Sequence, residues 1–193
     1  QGNEAVNYLS VSATSISVAS GEGSNATVSV SSNVSWTATS NQLWLTLSPQ
    51  EGTGNLPLII TAGANSADTE RTALITISAM GSKTKTLTVT QAAKPMLSVA
   101  KDTIRLGKDE GSIAYLPIWG NVSWSASSNN PWLTVSPGAG MNSDTLTLTA
   151  TANPFIDERS CILTVNGKSL GNEQITVIQD AGDTVLTASQ NNV

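Results

Sequence analysis

Apolar residues alternate with polar ones at a period of two along nearly the whole chain, in short runs closed by clusters of Gly, Asn, Ser and Pro. That period places one face of a strand in a core and the other in water. In the N-terminal half the inward set reads Leu9 and Val11, Ile16 and Val18, then Ala26, Val28 and Val30. It continues through Val34, Trp36 and Ala38, then Leu45, Leu47, Leu58 and Ile60, and ends in Ile75, Ile77, Leu87 and Val89. No segment has a helical period, so no helix longer than one turn is expected. About seven strands in roughly 85 residues, rich in Val, Ile and Thr, predict an all-β, immunoglobulin-like antiparallel sandwich.

The same pattern occurs twice. Moving the chain by 88 residues lays Leu9-Ser10-Val11 on Leu97-Ser98-Val99 and Asn33-Val34-Ser35-Trp36 on Asn121-Val122-Ser123-Trp124. Trp44-Leu45 with Ser48-Pro49 then meets Trp132-Leu133 with Ser136-Pro137, Glu70-Arg71 meets Glu158-Arg159, and Gln91 meets Gln179. A period of that size fits a small autonomous domain better than a solenoid unit. The organisation expected is an N-terminal extension over 1–7, a first domain over 8–92, a linker at 93–95, a second domain over 96–181 and a tail at 182–193. Pro95 fixes φ in the short linker, which predicts two sandwiches placed end to end with restricted motion.

Charge and composition narrow the function classes. Only 12% of residues are charged, and nine Lys plus Arg against fourteen Asp plus Glu give a net charge of −5 with no basic block. Nucleic acid and anionic membrane are therefore excluded as expected partners. There is no histidine, which removes His-dependent triads and His-ligated metal sites. The single cysteine, Cys161, has no partner for an internal disulfide; it replaces Ala73 in the overlay and shares the parity of Leu163, so it reads as a buried apolar side chain. No apolar run reaches the length needed to cross a bilayer, and no signal peptide opens the chain, which reads as a mature soluble segment. No cofactor is expected and no metal ligands are assigned; a bound metal and the oligomeric state are left open.

The paired motifs carry a family resemblance. Asn-Val-Ser-Trp, Trp-Leu before Ser-Pro, Ala-Asn followed by Glu-Arg, and a closing Thr-Val-x-Gln-x-Ala occur in both repeats in the same order. Each repeat resembles a BACON domain, the Bacteroidetes-associated module whose name records a proposed carbohydrate-binding role. The resemblance implies an immunoglobulin-like fold on a protein exported to the periplasm or outer cell surface, with lipid anchoring possible only through a residue upstream of Gln1. It further implies a non-catalytic module that binds polysaccharide or mucin glycans. A structural spacer, holding a partner or neighbouring domain away from the membrane, is the alternative.

Candidate residues fall into three groups. Trp36 and Trp124 share the inward parity of their strands and read as core residues whose indole N–H groups need partners. Trp44 and Trp132 have parity opposite to the residues that follow, so they either point outward as secondary ligand platforms or lie over a sandwich edge as lids. Arg71 and Arg159 follow Glu70 and Glu158 in loops and read as loop-pinning pairs with them. Tyr115 and Trp119 differ in kind, because the first repeat has Thr27 and Ser31 there. They lie opposite in parity to Ala114, Leu116 and Ile118, which sends both rings to one outer face about 13 Å apart. Two readings stand: a glycan-contacting pair, or a pair covered by a loop, the tail or the other domain. Pro117 between them predicts an edge strand. Asp68, Glu70, Asp157 and Glu158 read as solvated loop acids rather than a glycosidase pair. The same acids with Asn65, Asn153 and Asp144 lack any recognisable Ca²⁺-ligand spacing. Asp102-Thr103, Asp144-Thr145 and Asp183-Thr184 match a short O-glycosylation pattern and equally mark turn-to-strand steps.

Overall fold

A computed structural model describes residues 6–183. The chain divides into two compact units, Gln1–Lys94 and Pro95–Val193. Among the described residues there is no helix, and hence none long and apolar enough to cross a membrane.

The first unit contains β1 (Leu9–Val11), β2 (Ser15–Val18), β3 (Ser24–Ser32), β4 (Ser35–Ser40) and β5 (Leu45–Ser48). β6 (Glu51–Thr53), β7 (Leu56–Ala62), β8 (Arg71–Ala79) and β9 (Lys85–Gln91) complete it. The second contains β10 (Leu97–Val99), β11 (Thr103–Leu106), β12 (Ser112–Gly120), β13 (Ser123–Ser128) and β14 (Leu133–Ser136). It continues with β15 (Ala139–Met141), β16 (Asp144–Ala150), β17 (Arg159–Gly167) and β18 (Asn172–Gln179). Strand by strand, the second unit repeats the first at the offset read from the sequence.

Each unit is a four-stranded sheet facing a five-stranded one: β1-β3-β7-β5 against β2-β9-β8-β4-β6, and β10-β12-β16-β14 against β11-β18-β17-β13-β15. The predicted inward residues meet between them except Val34, which lies in the bend between β3 and β4, before the pleat begins, and is only partly buried. Val30, Leu58, Ile60, Ile75, Ile77, Leu87 and Val89 are fully buried in the first unit, and Leu116, Leu146, Leu148, Leu163, Ile175 and Val177 in the second. β-Branched and leucine side chains pack well on such pleated, half-buried surfaces.

Two expectations need correction. Among the described residues there are nine strands per unit, not about seven. The first hydrophobic run splits because the chain changes sheets: β1 pairs with β3, and β2 then pairs in parallel with β9. The inward parity shifts across Ala13, which is the trace of that crossing. β6, Glu51-Gly52-Thr53, has no apolar alternation to announce it and is held by pairing with β4.

The second correction concerns β12, which lies between β10 and β16 and is not an edge. Pro117 is accommodated because it sits just past the pairing of Val99 with Ile118, where β10 ends. In the first unit the equivalent step has two bonds: the Ser12 amide donates to the Ser29 carbonyl (3.0 Å), and the Ser29 amide donates to Ser12 Oγ (2.9 Å). In the second, the Ala100 amide still donates to the Pro117 carbonyl at 3.2 Å. The amide of Ser29 and the hydroxyl of Ser12 have disappeared together, so neither group is left unpaired.

Candidate functional site

The outward side chains of β12 are Ile113, Tyr115, Pro117 and Trp119, because Ala114, Leu116 and Ile118 take the core face. Tyr115 is 65% exposed, Trp119 48% and Ile113 52%. Both rings are exposed, Tyr115 more so than Trp119. Register then supplies their neighbours. Ile113, Tyr115 and Pro117 lie opposite Thr149, Thr147 and Thr145 of β16, and Trp119 lies opposite Ser98 of β10. Thr149 and Thr147 in turn face Thr134 and Ser136 of β14. Directly opposed residues share a face, with Cβ atoms about 5 Å apart. The outer surface is thus an apolar, aromatic row flanked by parallel rows of hydroxyls, with no charged side chain among these residues.

The first unit has no such row. Its β3 presents Asn25, Thr27, Ser29 and Ser31 at the same places. Ile113 belongs to the row and is missed when the sequence is read for aromatics alone; its signal is the replacement of Asn25. Phe155 and Ile156, both more than half exposed, are a second apolar pair confined to the second unit, where the first has Ala67 and Asp68.

The other tryptophans are structural in their surroundings. Trp36 and Trp124 are buried, and their Nε1–H groups donate to the carbonyls of Gly54 (3.0 Å) and Asn142 (2.9 Å). Trp44 and Trp132 sit in the turn before β5 and β14, outside the pleat, so strand parity does not direct them outward. Trp132 is 7% exposed, and Trp44 packs against its core. The guanidinium carbons of Arg71 and Arg159 lie over these rings at 4.5 and 4.7 Å from the centroids. Trp132 held in this way offers no open platform, and the partly buried Trp44 has one face taken by Arg71.

The arginines pin loops, though not through the preceding glutamates. Arg159 Nε donates to Gln179 Oε1 (2.7 Å), and its Nη2 donates to the carbonyls of Thr151 (2.9 Å) and Ala152 (3.0 Å). Arg71 does the same with Gln91, Gly63 and Ala64. Glu158 instead pairs with Arg105, which also meets Asp180, and these two carboxylates raise the arginine's pKa. Asn65 and Asn153 are buried with their amides spent on backbone: Asn153 Nδ2 donates to Asp157 and Asp180 carbonyls, and its Oδ1 accepts from the Phe155 amide. They have a fold role in place of the weighed Ca²⁺ role. No group of three or more potential acidic, His or Cys metal ligands occurs among the described residues.

Cys161 is 5% exposed beside Ser128, whose hydroxyl donates to its sulfur at 3.6 Å, and burial pushes the thiol pKa up. The unfolded chain, with an ordinary thiol, loses its proton first as pH rises, so stability falls above about pH 9. Below that the thiol is neutral in both states and contributes no slope. Urea titrations of the second domain at pH 7 to 11 are expected to show this fall, and Cys161→Ala to remove the thiol's part of it. An unchanged slope in the variant would reject the assignment. The C-terminal tail expected at 182–193 lies largely outside the described residues, as do residues 1–5 of the extension and Thr184 of the third Asp-Thr step.

Residues 8–94 match the family model described as "Viral BACON domain", and residues 122–180 match the BACON model described as "Putative binding domain, N-terminal". The second match begins after β12, so the aromatic row lies outside it. No curated protein matches the chain. Among solved structures, an I-band fragment of titin is similar at a TM-score of 0.57 and 10% identity, covering 91% of this chain and 65% of that one. Protocadherin Gamma B7 cadherin domains 1-4 give 0.52 and 12%, covering 95% and 52%. Both likenesses are of immunoglobulin-like fold. A Bacteroides ovatus GH5 xyloglucanase, solved with a XXXG heptasaccharide, gives 0.43 and 25%, covering 45% of this chain and 19% of that one. The chain therefore spans about two thirds, a half and a fifth of these three structures, respectively. With the repeated motifs, the duplicated sandwich and a family match in each unit, the chain belongs to the BACON family and carries two BACON-type domains in tandem.

Proposed function

We propose that the chain is a non-catalytic binding module that holds polysaccharide or mucin glycan on the outer face of β12, with the first domain acting as a spacer. The observation that carries this reading is the exposed row of Tyr115 and Trp119 among hydroxyls, set where the first domain has Thr27 and Ser31. Large amphipathic rings suit the apolar faces and hydroxyl edges of pyranoses. Leaving them in water has no use in packing, and a contiguous exposed apolar patch marks an interaction surface. The family match to a binding domain agrees. In the same reading the module works outside the cytoplasmic membrane, in the periplasm or on the cell surface.

Affinity electrophoresis of the purified chain through gels containing plant polysaccharides or mucin tests it. Retardation is expected with at least one polymer, and its loss is expected in Trp119→Ala and Tyr115→Ala. The variants should unfold within about 0.5 kcal/mol of the parent, as surface positions do. Retardation that survives in both variants would place the site elsewhere. No retardation by any polymer would leave the spacer role for both domains.

A further inference from the structure

We infer that the β12 face selects uncharged glycans with an extended main chain, and rejects anionic ones such as sialylated mucin or glycosaminoglycan. This rests on the glycan-binding reading of that face and narrows it. The first argument is electrostatic. Ser98, Ile113, Tyr115, Pro117, Trp119 and the threonines of β16 offer no cation to a carboxylate or sulfate. A polyanion would approach a chain of net charge −5 with nothing on the face to offset the repulsion.

The second argument is shape. Ile113, Tyr115 and Trp119 stand along one strand, so the apolar row runs along it for about 20 Å, at about 3.3 Å per residue. Thr145, Thr147 and Thr149 run parallel to it on β16, with Thr134 and Ser136 beyond on β14. Neighbouring strands lie about 4.8 Å apart, so the hydroxyls reach the edge of a chain stacked on the row. A ribbon-like polymer lying along β12 meets rings and hydroxyls together. A coiled or heavily branched one touches a single ring. Hydroxyl and aromatic contacts also carry no net charge, so salt has little to screen.

The test is affinity electrophoresis of the full chain with hydroxyethylcellulose and glucomannan as neutral extended polymers, and with hyaluronan, polygalacturonate and sialylated mucin as anionic ones, each from low to near-molar NaCl. Retardation by a neutral polymer, unchanged by salt and weakened roughly tenfold or more in the Tyr115→Ala/Trp119→Ala double variant, is the expected result. Retardation by anionic polymers alone, fading with salt, would overturn the inference while keeping the face as a glycan site. Binding that persists in the double variant, or no binding to any polymer, would overturn the reading of the face and the inference with it.

Discussion

Trp124→Ala is expected to cost the second domain about 3–5 kcal/mol, the usual range for emptying a fully buried aromatic site. The ring is 3% exposed, and its Nε1–H is satisfied by the Asn142 carbonyl at 2.9 Å. Truncation would remove both the packing and the donor. The strand opposite is shaped for this ring: a Cβ on Gly140 would stand 2.4 Å from Cζ2 and 2.9 Å from Cε2 of Trp124. Gly140→Ala therefore forces the indole or the strand to move, at about 1–3 kcal/mol. The first domain repeats the arrangement, with a Gly52 Cβ at 2.7 Å from Trp36 Cζ2. Urea denaturation followed by tryptophan fluorescence and far-UV circular dichroism measures both. A loss below about 1 kcal/mol for Trp124→Ala would mean that the core closes without the ring.

Arg159→Ala is the other large effect, at about 2–4 kcal/mol. Its guanidinium joins Gln179, the Thr151 and Ala152 carbonyls and the Trp132 ring. Gln179 is itself fully buried, and its Nε2 donates to the Gly107 (3.0 Å) and Thr151 (2.8 Å) carbonyls. Removing the arginine strands Gln179 Oε1 in the interior. Arg159→Lys keeps the charge but cannot place a planar fork on three acceptors, so it is expected to recover less than half of the loss. A wild-type midpoint for Arg159→Lys would show that charge alone suffices. This clamp holds the loop that carries Phe155 and Ile156 and, through Asn153, the backbone leaving β18.

Much of this was legible in the residues themselves. Period-two alternation exposed the inward sets, since burying one face of a strand leaves a direct mark on composition. The two copies exposed the domains, because Trp36, Arg71 and Gln91 recur with their spacing intact. Tyr115 and Trp119 were legible by difference: the parity of β12 set their direction, and the first repeat showed that the fold does not need them.

The remainder depended on partners distant in sequence. β6 and β15 lack an apolar pattern because pairing with β4 and β13, not burial, makes them strands. Arg159 sits beside Glu158 in the chain yet bonds Gln179 and the loop carbonyls, since strand pairing sets β17 against β18 and outranks adjacency. Pro117 suggested an edge, but a short neighbour that ends at the right residue serves equally well. The amino-acid sequence by itself determined the core-facing side of the main strands, how often the domain is repeated and where the second copy departs from the first. Only the tertiary structure decided strand order, the partners of each polar group and the hydroxyl rows beside the aromatic row. Local periodicity reports burial, whereas register and hydrogen bonding arise only when distant segments meet.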